Sequence, residues 1–142
     1  MSAEEERTAW EDERPQGPHV WRTLGYRRVT QGEGASVLEW DATPEYAFHA
    51  SSGPIIQGGL IATLLDTAMG GACRSLLEDG ESFLTADLHV EFLRSSRPGT
   101  LRAGGKVVHR TKRVVFCAAE LYDAAGEHLA SARCTQVLRS GR

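Results

Sequence analysis

The hydrophobic pattern of the chain changes period twice, and the changes mark its elements. From Tyr26 to Gln31 and from Ala35 to Ala42 the residues read as strands, and the intervening QGEG supplies a turn. The two runs predict a β-hairpin in which Ser36, Leu38, Trp40 and Ala42 share one face. Just before them, His19–Gly25 (HVWRTLG) predicts a short helix that tucks Trp21 and Leu24 onto the domain. Thr43–Ile56 (TPEYAFHASSGPII) is rich in Pro, Ser and Gly and reads as a loop. From Gly59 the period becomes 3.6: large apolar residues at 60, 61, 64, 65, 69, 76 and 77, with Ala68 and Ala72, form a broad helical stripe. Glu78-Asp79-Gly80 ends it.

After the helix the period returns to two. Phe83–Leu93 places Leu84, Ala86, Leu88, Val90 and Phe92 on one face and Thr85, Asp87, His89 and Glu91 on the other. Leu101–His109 is a second long strand, interrupted by Gly104-Gly105, which predicts a bulge or a bend. Arg113–Tyr122 is apolar nearly throughout and predicts a central strand buried on both faces. A turn at Asp123–Gly126 leads into Leu129–Leu138, which closes the sheet. Early strands, one long helix and a strand meander predict an α+β domain over residues 19–140, an antiparallel sheet curled around a single helix.

Composition and charge narrow the function. The 142 residues are enough for one domain with its own core. The formal charge of −3 is unevenly spread: residues 1–14 hold six acids against two arginines, so 1–18 reads as a charged, mobile tail. Between Arg94 and Arg113 there are seven basic residues and no acid, a patch suited to a few phosphates on a small ligand. It is too limited for a nucleic-acid binder, which should be basic across a whole face. No run of 18 apolar residues exists, so no membrane span is expected, and the acidic N-terminus has no signal-peptide pattern. Three cysteines in apolar surroundings read as reduced core thiols of a cytoplasmic protein. The five histidines are scattered without metal-ligand spacing, so no metal site is expected.

The candidate chemistry lies on the helix. Asp66 falls just beyond the edge of the apolar stripe, and its neighbours up and down the helix are Gly59, Ala62, Gly70 and Cys73, all small. A solvated outer strip would carry Lys, Glu and Arg instead. A carboxylate partly desolvated between packed surfaces acquires a raised pKa and serves as base or nucleophile. At the helix start, Gly58 and Gly59 let backbone N–H groups approach a ligand oxygen unobstructed by a Cβ. A base on one side and N–H dipoles on the other suit attack on a carbonyl.

Gln57-Gly58-Gly59, with Asp66 nine residues after Gln57 and a strand meander beyond, resembles the hotdog-fold acyl-CoA thioesterases of the phenylacetyl-CoA thioesterase-like group. The run Leu88–Leu93, Arg94, Pro98-Gly99 is similar to that family's strand ending in a proline-containing turn, and the resemblance covers roughly residues 20 to 140. It implies an enzyme in which Asp66 activates water or attacks the thioester carbonyl and the Gly58 N–H polarises that carbonyl. Gln57 stands where His is usual, and an amide there can hold a ligand but cannot titrate. Thr85 matches a hydroxyl that positions the water. Ser51 stands where the family commonly has Asn, and with Ser52 it belongs to the ligand-contacting loop. Gly59 and the turn Arg110, Thr111, Lys112 and Arg113 match substrate-binding positions, the turn facing coenzyme A phosphates. The resemblance further implies self-association as dimers or tetramers with sites at the subunit interface, coenzyme A as part of the substrate rather than a cofactor, and no nucleic-acid or membrane partner. The competing reading is a hotdog module that binds acyl-CoA without turning it over.

Overall fold

The computed structural model of the chain describes residues 20–140; the segment 1–18 read as a tail lies outside the described residues. Helix α1 (Val20–Leu24) precedes the hairpin of β1 (Arg27–Gly32) and β2 (Ala35–Ala42), which turns at Glu33-Gly34 with φ positive at both. The hairpin's expected inner face is present, with Ser36, Leu38, Trp40 and Ala42 all buried. Trp40 Nε1 donates to the Leu24 carbonyl at 2.7 Å, which ties α1 to the sheet and satisfies a buried indole. Residues 43–56 are more ordered than their composition implies. A 3₁₀ turn at Pro44–Tyr46 leads into a small hairpin of β3 (Ala47–Ala50) and β4 (Gly53–Ile56), folded about Ser51-Ser52. Four-residue strands carry too little alternation to stand out among Pro, Ser and Gly.

The long helix α2 (Gly58–Arg74) buries Ile61, Leu64, Leu65, Ala68, Met69 and Ala72, the stripe read from the sequence. It ends earlier than Glu78: Leu76 and Leu77 continue in hydrogen-bonded turns beyond it. Four long strands follow, β5 (Ser82–Phe92), β6 (Gly99–Arg110), β7 (Val114–Asp123) and β8 (His128–Arg139). They join the hairpin in one antiparallel sheet of order β1-β2-β6-β7-β8-β5, with α2 packed across its concave side. Strands β6, β7 and β8 form the expected meander. Strand β5 does not lie beside β6; it pairs with β8, and the chain crosses to bring β6 against β2. The architecture is the expected hotdog, with β1 and β5 as its two free edges.

Three sequence expectations are corrected by the packing. In β5, Thr85 stands opposite Gln136 and Asp87 opposite Thr135, so Ala86 is an extra residue and the strand bulges there. Side chains beyond a bulge change face, so Phe83 and Thr85 share the concave side with Leu88, Val90 and Phe92, while Leu84 turns outward with Asp87. Asp87 Oδ1 accepts the Thr135 N–H at 3.1 Å, so a side chain replaces a ladder bond that the bulge removes. Strand β7 is central but not buried on both faces: Val115, Cys117, Ala119 and Leu121 are buried, whereas Phe116 and Tyr122 are exposed on the convex side. At Gly104-Gly105 the register runs uninterrupted, and the irregularity comes between Val107 and His109. Gly105 serves a different purpose: a Cβ there would press into the Ala68 and Met69 backbone, so its absence lets α2 lie directly on β6.

Candidate active site

Asp66 sits half-buried on the flank of α2 that faces β5. The Thr85 hydroxyl lies 3.1 Å from Asp66 Oδ1 and 2.9 Å from Gln136 Oε1. Asp66 and Thr85 open into a hollow of about 250 Å³ that Trp21, Thr63, Gly70 and Phe83 also line. A Cβ at Gly70 would lie in ordinary contact with the Phe83 ring, at 3.5 Å, and the Arg74 guanidinium lies 5.5 Å from that ring's centre. The sequence therefore placed Gly70 correctly beside the acid, whereas Cys73 is buried in the core. Burial raises the Asp66 carboxyl above the ordinary carboxylate range, and the Thr85 hydroxyl opposes that shift with a smaller effect. The result is a carboxylate more basic than a solvated one.

The glycine turn forms a second cluster. Gln57 is the N-cap of α2, its exposed side chain makes no capping bond, and its own N–H donates to the Tyr46 carbonyl at 3.1 Å. The N–H groups of Leu60 and Ile61 donate to the Gln57 carbonyl, which leaves Gly58 and Gly59 as the two helix-start donors without an intrahelical acceptor. A Cβ at Gly58 would come within 3.2 Å of the Phe92 ring, whereas one at Gly59 would meet nothing. Gly58 opens into a different hollow, shared with Phe48, Ile55, Phe92 and Leu93. Eight residues of helix separate Gly58 from Asp66, about 12 Å along the axis. Within one chain the two do not converge on one atom.

The remaining predicted contacts are dispersed. Ser51 is exposed at the tip of the β3–β4 hairpin, and Ser52 Oγ accepts from Arg97 Nη2 at 2.9 Å. Arg110 is already engaged, donating to both Glu81 carboxylate oxygens at 2.8 and 3.0 Å and to the Leu76 carbonyl. Thr111 shapes the turn, its Oγ1 accepting from the Val114 N–H at 3.0 Å. Lys112 and Arg113 are exposed and make no ion pair among the described residues. The stretch that is acid-free in sequence is not acid-free in space. Strand β6 carries its two ends far apart; Arg94 meets Glu127 at one end, and Glu78, Asp79 and Glu81 line the hollow beside Arg110, Lys112 and Arg113 at the other.

Sequence reasoning passed over Gln136, a polar residue that is fully buried beneath Thr85. The available signal was its phase: Ala130, Ala132, Cys134, Gln136 and Leu138 alternate on the inner face of β8, so an amide there had to find partners inside the protein. Among the described residues no cluster of His, Cys, Asp or Glu could hold a metal ion, and no helix is long and apolar enough to cross a membrane.

A family model described as the thioesterase superfamily matches residues 53–130, a span containing Gly58, Asp66 and Thr85. A solved protein from the thioesterase superfamily shares 33% identity and a TM-score of 0.75, with 83% of this chain and 87% of that one covered. A phenylacetic acid degradation-related protein from Ralstonia eutropha is 28% identical, with 87% and 95% covered and a TM-score of 0.75. A thioesterase family protein from Silicibacter pomeroyi is 25% identical over 95% of this chain and 98% of its own, with a TM-score of 0.81. On the matched span, the helix wrapped by its sheet and the acid held at the sheet's open edge, the chain belongs to the thioesterase superfamily.

Proposed function

We propose that the protein hydrolyses acyl-CoA thioesters in a site shared by two copies of the chain. The observation that carries this reading is Asp66, a half-buried carboxylate held by Thr85 in a hollow at the unpaired edge of the sheet. The Thr85 end of β5 lies beside Asp66 and the Phe92 end beside Gly58. If β5 pairs antiparallel with β5 of a second copy about its middle, near Leu88, the Thr85 end of one strand meets the Phe92 end of the other. Asp66 then approaches Gly58 of the partner subunit, and the 12 Å gap within one chain ceases to matter.

In that site the thioester carbonyl accepts a hydrogen bond from the Gly58 N–H at a helix start, where the macrodipole favours the developing negative charge. Asp66 drives the attack, either taking a proton from water as its oxygen adds to the carbonyl, or adding itself to give an acyl-aspartyl anhydride that water then hydrolyses to the free acid and the regenerated carboxylate. Collapse breaks the C–S bond, and the thiolate leaves and gains a proton from solvent. Gln57, exposed beside the donor, holds the ligand without titrating. Lys112 and Arg113 supply the charge for the coenzyme A phosphates, since Arg110 is committed to Glu81. The Phe83 and Trp21 walls of the hollow suit a medium-chain or aromatic acyl group.

Thiol release from a panel of acyl-CoAs tests the reading. Hydrolysis is expected on at least one member, and Asp66→Asn should lower kcat by about 10²-fold or more with modest change in KM. Tight binding with no release on any member would establish the non-catalytic module instead.

A further inference from the structure

Among the described residues, Gln136 is the one fully buried side-chain amide at the site, and hydrogen counting with Asp66 ionised points to its role. Its two side-chain partners are Thr85 Oγ1 at 2.9 Å and Cys134 Sγ at 3.2 Å. Thr85 Oγ1 in turn lies within hydrogen-bond distance of both the amide and Asp66 Oδ1, at 3.1 Å. A hydroxyl has one proton, and an ionised carboxylate can only accept. If that proton goes to the Gln136 oxygen, Thr85 and Asp66 face each other with lone pairs only. Turning the amide by 180° about its last bond keeps both of its contacts and exchanges their roles. Its N–H then donates to Thr85 Oγ1, which leaves the Thr85 proton no acceptor but Asp66. Its oxygen faces Cys134, whose S–H donates to it. Cys117, opposite Cys134 in register and hydrogen-bonded to it, supplies the next S–H.

We propose that Gln136 is a positioning residue: it locks the Thr85 hydroxyl toward Asp66, at the end of a one-way donor chain running Cys117, Cys134, Gln136, Thr85, Asp66. The inference rests on the assignment of Asp66 as the reacting group, and it adds a reason for a buried amide in an otherwise apolar inner face. Such a group costs free energy unless both its ends are satisfied. Other ionisable groups around Asp66 are Arg28 from β1 and Arg74 on its own helix, which line the same hollow, and Cys134 from β8.

The test follows the Asp66 carboxyl by ¹³C NMR titration of the intact protein, with kcat measured alongside. Gln136→Met removes the amide while keeping the length, and should raise the Asp66 midpoint by about half a pH unit or more and lower kcat roughly 3- to 30-fold at little change in KM. Thr85→Val should do the same. The Thr85→Val/Gln136→Met double variant should match Thr85→Val alone within about twofold, because Gln136 acts only through the hydroxyl. If Gln136→Met does not fold, Cys134→Ala is the second variant, with a smaller shift of the same sign. An unmoved Asp66 midpoint, or shifts that add in the double variant, would overturn the assignment. The titration needs no substrate. A protein that hydrolyses nothing but shows these shifts therefore refutes the enzyme and keeps the lock, while normal hydrolysis with an unmoved midpoint does the reverse.

Discussion

Strand β1 closes one edge of the sheet and strand β5 the other, and the two are built differently. Strand β1 is six residues long, shifts register next to Val29, and presents Arg27, Arg28, Thr30 and Gln31. Arg27 is held by Asp41 of the neighbouring strand at 2.5 Å, and Gln31 Nε2 donates to the Gly71 carbonyl at 2.9 Å. These are the devices that keep an edge from pairing: shortness, charge and a local irregularity. Strand β5 is eleven residues long and exposes Leu84, Leu88 and Phe92, with Leu93 just after it. Its bulge lies near one end and leaves the stretch from Asp87 to Phe92 regular. An edge left long, with Leu84, Leu88 and Phe92 exposed near the half-buried acid, is the edge at which the proposed pairing of two copies would complete the site. The same surface that would be a liability in a monomer would, in the proposed dimer, supply the second half of the pocket.

That comparison can be broken at β5. Leu88→Arg places a charge at the middle of the proposed strand pair, and should yield a monomer by analytical ultracentrifugation with at least about tenfold loss of kcat, since each half-site loses its opposite number. A dimer that survives Leu88→Arg would mean that the edges do not differ as argued. Next in size, Gly58→Ala adds a Cβ against the Phe92 ring, which is itself on β5. The donor N–H remains but is displaced, and a loss of several-fold to about tenfold in kcat/KM is expected with the fold intact by circular dichroism.

A smaller effect concerns stability. The Asp66 carboxyl is raised by burial, so the folded protein holds that proton to higher pH than the unfolded chain does. The sign follows: this residue's contribution to stability is greatest below the ordinary carboxylate pKa of about 4 and falls as pH rises through its own higher value. Asp66→Asn should therefore raise Tm at pH 7 by about 1–3 °C, a gain that disappears in acid, as scanning calorimetry at the two pH values would show. Hydrolysis should fall in the same acidic window as the base is protonated. The smallest expected effect is the control on the other edge: Val29→Arg on β1 should leave the sedimentation coefficient and kcat unchanged.

The chain's own pattern determined a good deal. The stripe from Leu60 to Met69 specified α2 because a helix that must cover a sheet needs one apolar flank, and that periodicity is local. The spacing of Gly58 and Asp66 placed the donor at the helix start and the acid about two turns on, again by local geometry. Tertiary structure decided what local pattern cannot carry. Ala86 became a bulge only through pairing with β8, and that one extra residue turned Thr85 inward, toward Asp66, when strict alternation put it on the polar face. Arg110 is drawn away from the expected phosphate contacts because Glu81, far away in sequence, reaches it across the fold. Gln136 gained its meaning from Thr85 above it and Cys134 beside it. Periodicity records which side of an element is buried; strand pairing and register record what it is buried against, and those depend on residues distant along the chain.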